Sequence, residues 1–108
     1  MDLFQLIDTV RRRPGMFVED GSLVALDAFL RGFHFARVDA GVATDVDRRF
    51  VEGFQPWLQR RHGSDAASTW VEPVRLLADS SGRAPLQRFF ELVDDFRQEL
   101  GDLGDGDR

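Results

Sequence analysis

Apolar residues recur at helical spacing along most of the chain, and short polar or glycine-bearing breaks separate the runs. Leu3, Phe4, Leu6, Ile7 and Val10 share one face of a helix predicted over 2–12. Asp2 stands at its front and Arg11, Arg12 and Arg13 at its back, an order that suits the helix dipole. Pro14 ends it, because the residue before a proline avoids the α region. Gly15 permits a turn, Met16, Phe17 and Val18 read as a short extended segment, and Asp20-Gly21 is a second turn. Ser22 is an N-cap for the next helix. There Leu23, Leu26, Phe29, Leu30 and Phe33, and then Phe35 through Val38, form a stripe wide enough for a central, largely buried helix. Gly32 inside it costs roughly 1 kcal/mol against Ala and leaves room for another element to pack closely.

Residues 39–47 read as a loop. Phe50, Phe54, Trp57 and Leu58 are spaced for a third helix that stops at Gly63, with Arg60, Arg61 and His62 as cations in its last turn. Pro56 favours a start near Gln55, which leaves 47–54 as a separate turn or short helix. A fourth helix is predicted over 64–79, with caps at Ser64, Asp65 or Ser68 and an apolar face of Trp70, Val74, Leu76 and Leu77. Pro85 opens the clearest helix, over 84–100. Its apolar face is Leu86, Phe89, Phe90, Leu92, Val93, Phe96 and Leu100, with Glu91, Asp94, Asp95 and Glu99 on or beside the other. Residues 101–108 are expected to be a disordered acidic tail. The fold class is therefore all-α or mostly α: one domain over 1–100, a compact bundle of about five helices, with a short strand pair near 16–18 left open.

Composition narrows the chemistry. At 108 residues the chain has the size of one domain, and ten Phe among its 43 % hydrophobic residues imply an aromatic core. Without Cys there are no disulfides, thiolate metal sites or cysteine nucleophiles. All fourteen basic residues are Arg, and nineteen acids leave a net charge of −5, which disfavours nucleic acid as a partner. No run approaches the ~18 apolar residues of a membrane helix. The opening Met1-Asp2-Leu3 lacks the positive charge of a signal peptide, so a cytoplasmic place is expected, with no membrane partner.

The histidines, His34 and His62, fall in different helices and lack HxxxH or ExxH spacing, so no metal or other cofactor is expected. No catalytic residue is assigned. The four carboxylates of the last helix read as a solvated face or a protein-contact face. Arg11–Arg13 read as cations neutralising a helix end, and Trp57 and Trp70 as core. The protein-contact candidates are Glu91, Asp94, Asp95 and Glu99, together with Arg13, Met16 and Phe17 at the first turn.

The stretch Arg11–Val18 (RRRPGMFV) resembles a segment near the N-terminus of the gyrase B family. That similarity covers about eight residues, and residues 19–45 lack the Glu- and Asn-bearing helix and DxGxG loop of that family's ATP site, so ATPase chemistry does not carry over. A wider resemblance spans most of 4–96. The order RRRPGMF, Ser22-Leu23, Phe54-Gln55-Pro56-Trp57-Leu58, Trp70 and Phe89-Phe90-Glu91-Leu92-Val93-Asp94-Asp95-Phe96 is similar to small bacterial proteins that resemble immunity-type partners of polymorphic toxins. Phe17 stands where that pattern has an aromatic hydroxyl and Glu19 where it has glycine. The resemblance implies a non-catalytic protein-binding module, an immunity-like inhibitor whose acidity steers it to a basic toxin. The alternatives are a small ligand-binding protein or enzyme with an aromatic pocket around Trp57 and Trp70, or a structural or regulatory subunit. Homo-oligomerisation is left open.

Overall fold

The computed structural model describes residues 1–63 and 69–106. Six α-helices follow one another among them: α1 (Leu3–Arg12), α2 (Pro14–Phe17), α3 (Leu23–Asp39), α4 (Asp45–His62), α5 (Val71–Ser81) and α6 (Pro85–Gly106). A 3-10 turn, Glu19–Gly21, joins α2 to α3, and Asp20 in it takes a positive φ of 60°. The all-α expectation holds, and the start signals explain much of it. Asp2 accepts the Gln5 N–H at 2.8 Å while the Gln5 side chain accepts the Asp2 N–H at 2.8 Å, a reciprocal cap on α1. Ser22 caps α3 through the Ala25 N–H at 3.2 Å. Helices α4 and α5 stop at Gly63 and Gly82, both left-handed, where glycine carries no Cβ penalty.

Several expectations are corrected. Residues 14–17 form a single helical turn instead of an extended segment, because Pro14 sits at the first helical position, where its missing N–H has no partner to lose. Helix α4 runs unbroken from Asp45 to His62, taking in the last three residues of the stretch read as a loop and passing through Pro56. An internal proline costs about 3 kcal/mol. Burying Phe50, Phe54, Trp57 and Leu58 along one face offsets that, at about 1.5–3 kcal/mol each. The fourth predicted helix begins later, at Val71, and its expected caps Ser64, Asp65 and Ser68 lie outside the described residues. Helix α6 spans Pro85–Gly106, so its bounds reach into the span read as an acidic tail. Residues 107–108 lie outside the description.

The core is organised around Phe54 of α4, which is fully buried. Its ring lies 5.1 Å from Phe50, 5.9 Å from Trp57, 6.1 Å from Trp70, 5.8 Å from Phe89 and 5.5 Å from Phe96. The offset and edge-on geometries are those aromatic pairs prefer. Beside it, Gly53 lets α6 come close: a Cβ there would meet the Phe96 ring at 3.3 Å.

One polar group is fully buried among the described residues, the Asp47 side chain in the first turn of α4. One oxygen accepts the Leu3 N–H at 2.8 Å. The other accepts the Thr44 N–H and the Arg37 Nε–H, each at 3.0 Å. Arg37 also donates to the Val42 carbonyl at 3.1 Å and lies 5.6 Å from the Phe33 ring centre. The start of α1, the end of α3, the α3–α4 loop and the start of α4 thus converge on one carboxylate. Burial pushes the Asp47 carboxyl up, but the Thr44 and Leu3 N–H groups and the Arg37 guanidinium together outweigh it and hold it below the ordinary carboxylate value.

Two outcomes follow for stability. Asp47→Asn should cost about 3–5 kcal/mol in urea melts, because it leaves the mostly buried Arg37 without its counter-charge. A carboxyl depressed on folding contributes stability above its unfolded value of about 3.9, and that contribution is lost as pH falls through the folded value. The variant's stability should therefore fall less than the parent's below pH ~4. In the core, Phe54→Ala should cost about 3–5 kcal/mol. Leu76→Ala, at a side chain 57 % exposed, should stay within about 0.5 kcal/mol.

Candidate functional site

Helix α3 carries apolar residues nearly all round, yet only Leu23, Leu26 and Leu30 are buried, with Phe29 and Phe33 packed against the core's edge. At 100° per residue, Val24, Ala28 and Phe35 fall on the far side of the helix from those leucines, and Val38 falls on the flank between. Helices α1 and α5 cover the inner side. This corrects the expectation of a largely buried helix: its stripe is wider than the face its neighbours can cover. Val24 is 69 % exposed, Phe35 74 % and Val38 54 %. Gly32, expected to receive a close-packed element, opens to free space instead.

Between the flank of α3 that carries Val38 and the facing side of α4 lies a groove of about 660 Å³, with Phe35 at its outer edge. The buried Leu3, Leu30, Phe50 and Trp70 form its floor, and the exposed Phe35, Val38 and Val51 form its lips. Its polar members are few. Arg31 Nε–H donates to Asp27 at 3.0 Å, one helical turn back. The others are His34, Gln55 and Thr69. The His34 Nδ1 atom is buried and makes no hydrogen bond. The chemistry on offer is therefore apolar contact, oriented by one ion pair and one imidazole.

A second, more open cleft of about 450 Å³ lies between α4 and α6. Arg48, Arg49 and Arg60 alternate there with Asp45 and Glu52, and Arg48 is already paired with Asp45.

The residues proposed from sequence for protein contact are distributed differently. Glu91 is half-buried and paired with Arg83, with Arg88 at 3.5 Å, so it is less wet than expected. Asp94 accepts from Arg11 at 2.7 Å, which ties α6 to α1. Glu99 accepts the Trp57 indole N–H and lies 3.9 Å from Arg61. Asp95 is exposed on the same helix, near His62. The acidic side of α6 is thus laced with arginines. At the first turn, Arg13 is exposed and Met16 is 70 % exposed, while Phe17 is half-buried with its ring 5.9 Å from Phe29.

Of the two tryptophans, Trp70 lines the groove and Trp57 does not: Trp57 packs on Phe96 at 5.4 Å inside the core, and both rings lie against Phe54. Periodicity at 100° per residue does put Val24 and Phe35 opposite the leucines, a signal that a single broad stripe conceals.

His62 lies in the last turn of α4, before Gly63, as expected. Burial lowers its pKa below the ordinary value, Arg88 and Arg61 lower it further, and Asp95 and Glu99 oppose them. A histidine depressed on folding contributes stability above its unfolded value of about 6.5, lost as pH falls through the folded value. His62→Gln should therefore flatten the stability profile between pH ~7 and ~5, read from melts across that range.

No helix among the described residues is long and apolar enough to cross a membrane. Among them, too, no three His, Asp or Glu side chains gather where they could hold a metal ion. No family model matches the chain, and no curated protein or solved structure does either.

Proposed function

We propose that this chain is a non-catalytic protein-binding module whose contact surface is the outer side of α3 with the groove against α4. The observation that carries this reading is Phe35, 74 % exposed beside Val38 and Val51 at the lips of that groove. Leaving a Phe side chain in water forgoes roughly 1.5–3 kcal/mol that burial would return. Contiguous apolar surface rimmed by polar groups marks interaction sites. Enrichment in aromatic residues and depletion in charge is the signature of an interface centre.

The narrower reading is an immunity-like inhibitor of a basic toxin. The resemblance in residue order and the net charge of −5 support it. In that reading the charge steers approach, and the groove supplies the affinity. The α6 carboxylates give it less support, because Glu91, Asp94 and Glu99 already pair with arginines of the same chain. A second reading, a small-ligand pocket, draws on the groove's volume of about 660 Å³, within the usual range for such sites. Trp70 in the floor and the unpartnered His34 Nδ1 are what would orient such a ligand.

A photo-cross-linking phenylalanine analogue placed at position 35 in the cell of origin should form a discrete adduct with a protein. The same analogue at position 94 should not. Adducts from position 94 alone would overturn the assignment and move the contact to α6.

A further inference from the structure

We infer that the protein that covers the outer side of α3 is a second copy of this chain, packed antiparallel across α3 about a two-fold axis. This rests on the protein-binding reading above and names its partner. A two-fold interface needs a self-complementary patch, in which residue i meets j of the second copy while j meets i. The outer side of α3 meets that condition twice, with midpoints half a residue apart.

Val24 and Phe35 are exposed apolar residues eleven positions apart, and the midpoint between them falls between residues 29 and 30. Asp27 and Arg31 are an acid and a base four positions apart, with their midpoint at residue 29. An antiparallel pairing centred there sets Phe35 of each copy against Val24 of the other. It also brings Arg31 of each copy to Asp27 of the other.

The electrostatics suit this arrangement. Arg31 is 62 % exposed and Asp27 15 %; Arg31 gives Nε–H to one Asp27 oxygen, while its two terminal nitrogens make no hydrogen bond among the described residues. Those donors can serve the second oxygen of the Asp27 that the other copy brings to them. The sterics agree. Ala28, small and exposed, lies next to the axis, so two helices can approach closely at the centre. The bulky Phe35 stands away from it. Charges at the centre and apolar pairs at both ends favour the antiparallel order. In a parallel pair on the same face, Asp27 would meet Asp27 and Arg31 would meet Arg31.

The test uses charges placed at the two exposed apolar positions, where folding is least affected. In sedimentation velocity, the parent chain should shift from one-chain to two-chain mass as concentration rises toward roughly 0.5 mM, a millimolar-or-tighter association. Val24→Arg alone and Phe35→Asp alone should each weaken self-association at least tenfold. An equimolar mixture of the two should recover a mixed dimer. In it the guanidinium introduced at position 24 of one copy faces the carboxylate introduced at position 35 of the other, while the remaining Phe35–Val24 contact is intact. Circular dichroism melts check that both variants fold. A parent that stays at one-chain mass throughout, or single variants that dimerise like the parent, would overturn the inference. So would a mixture that stays monomeric. If the parent is monomeric while the position-35 adduct holds a different protein, this inference falls and the protein-binding reading stands. If that adduct has twice the mass of the chain, both stand.

Discussion

Burying a carboxylate costs several kcal/mol unless donors meet its oxygens, and Asp47 meets three of them from three parts of the chain. If α1 slid by a residue, the Leu3 N–H would leave its oxygen. If α3 unwound its last turn, Arg37 would lose both the carboxylate and the Val42 carbonyl. The cost of an unsatisfied buried charge turns a local helix cap into a constraint on how three helices meet. Apolar contacts alone specify such a meeting loosely, because they have no direction.

The position of α3 follows from that constraint. Its C-terminal end is held at Asp47 through Arg37, and its inner leucines close on α1 and α5. Helix α4 leaves the same point and sends Phe54 into the centre of the aromatic cluster. The two helices therefore diverge from a shared anchor with their facing sides only partly filled, and the groove is the space between them. What a partner would meet is set by this geometry: apolar lips at Phe35 and Val38, a buried floor, and one ion pair within an otherwise neutral patch.

Much of the architecture is legible from periodicity and punctuation. The face of α1, the apolar side of α6 and the stops at Gly63 and Gly82 are local matters, decided within a few residues. The differences arise where distant contacts override local preference. Pro56 argues against a continuous α4 when read alone, and only the burial of Phe50, Phe54, Trp57 and Leu58 on one face explains its tolerance. The span from Thr44 to Asp47 does carry a T-x-x-D spacing close to a capping box, but nothing local says that Leu3, 44 residues earlier, completes it. For the candidate site the opposite holds. Of the four conspicuous acids of α6, Glu91, Asp94 and Glu99 prove to be paired. The outer residues of α3 are hidden in plain apolar composition, because a stripe shows which side chains want burial and not how many of them the same chain can bury.

The central claim is that one buried carboxylate locks the start of α1 to the meeting of α3 and α4, and the Leu3 amide reports on it directly. A first-turn N–H, third from the N-terminus, has no partner within its own helix and ordinarily exchanges with solvent almost freely. Native-state hydrogen exchange should instead show the Leu3 and Thr44 amides protected to nearly the global unfolding free energy, with that protection lost in Asp47→Asn. Exchange of the Leu3 amide in the parent chain at the rate of an unstructured peptide would contradict the account.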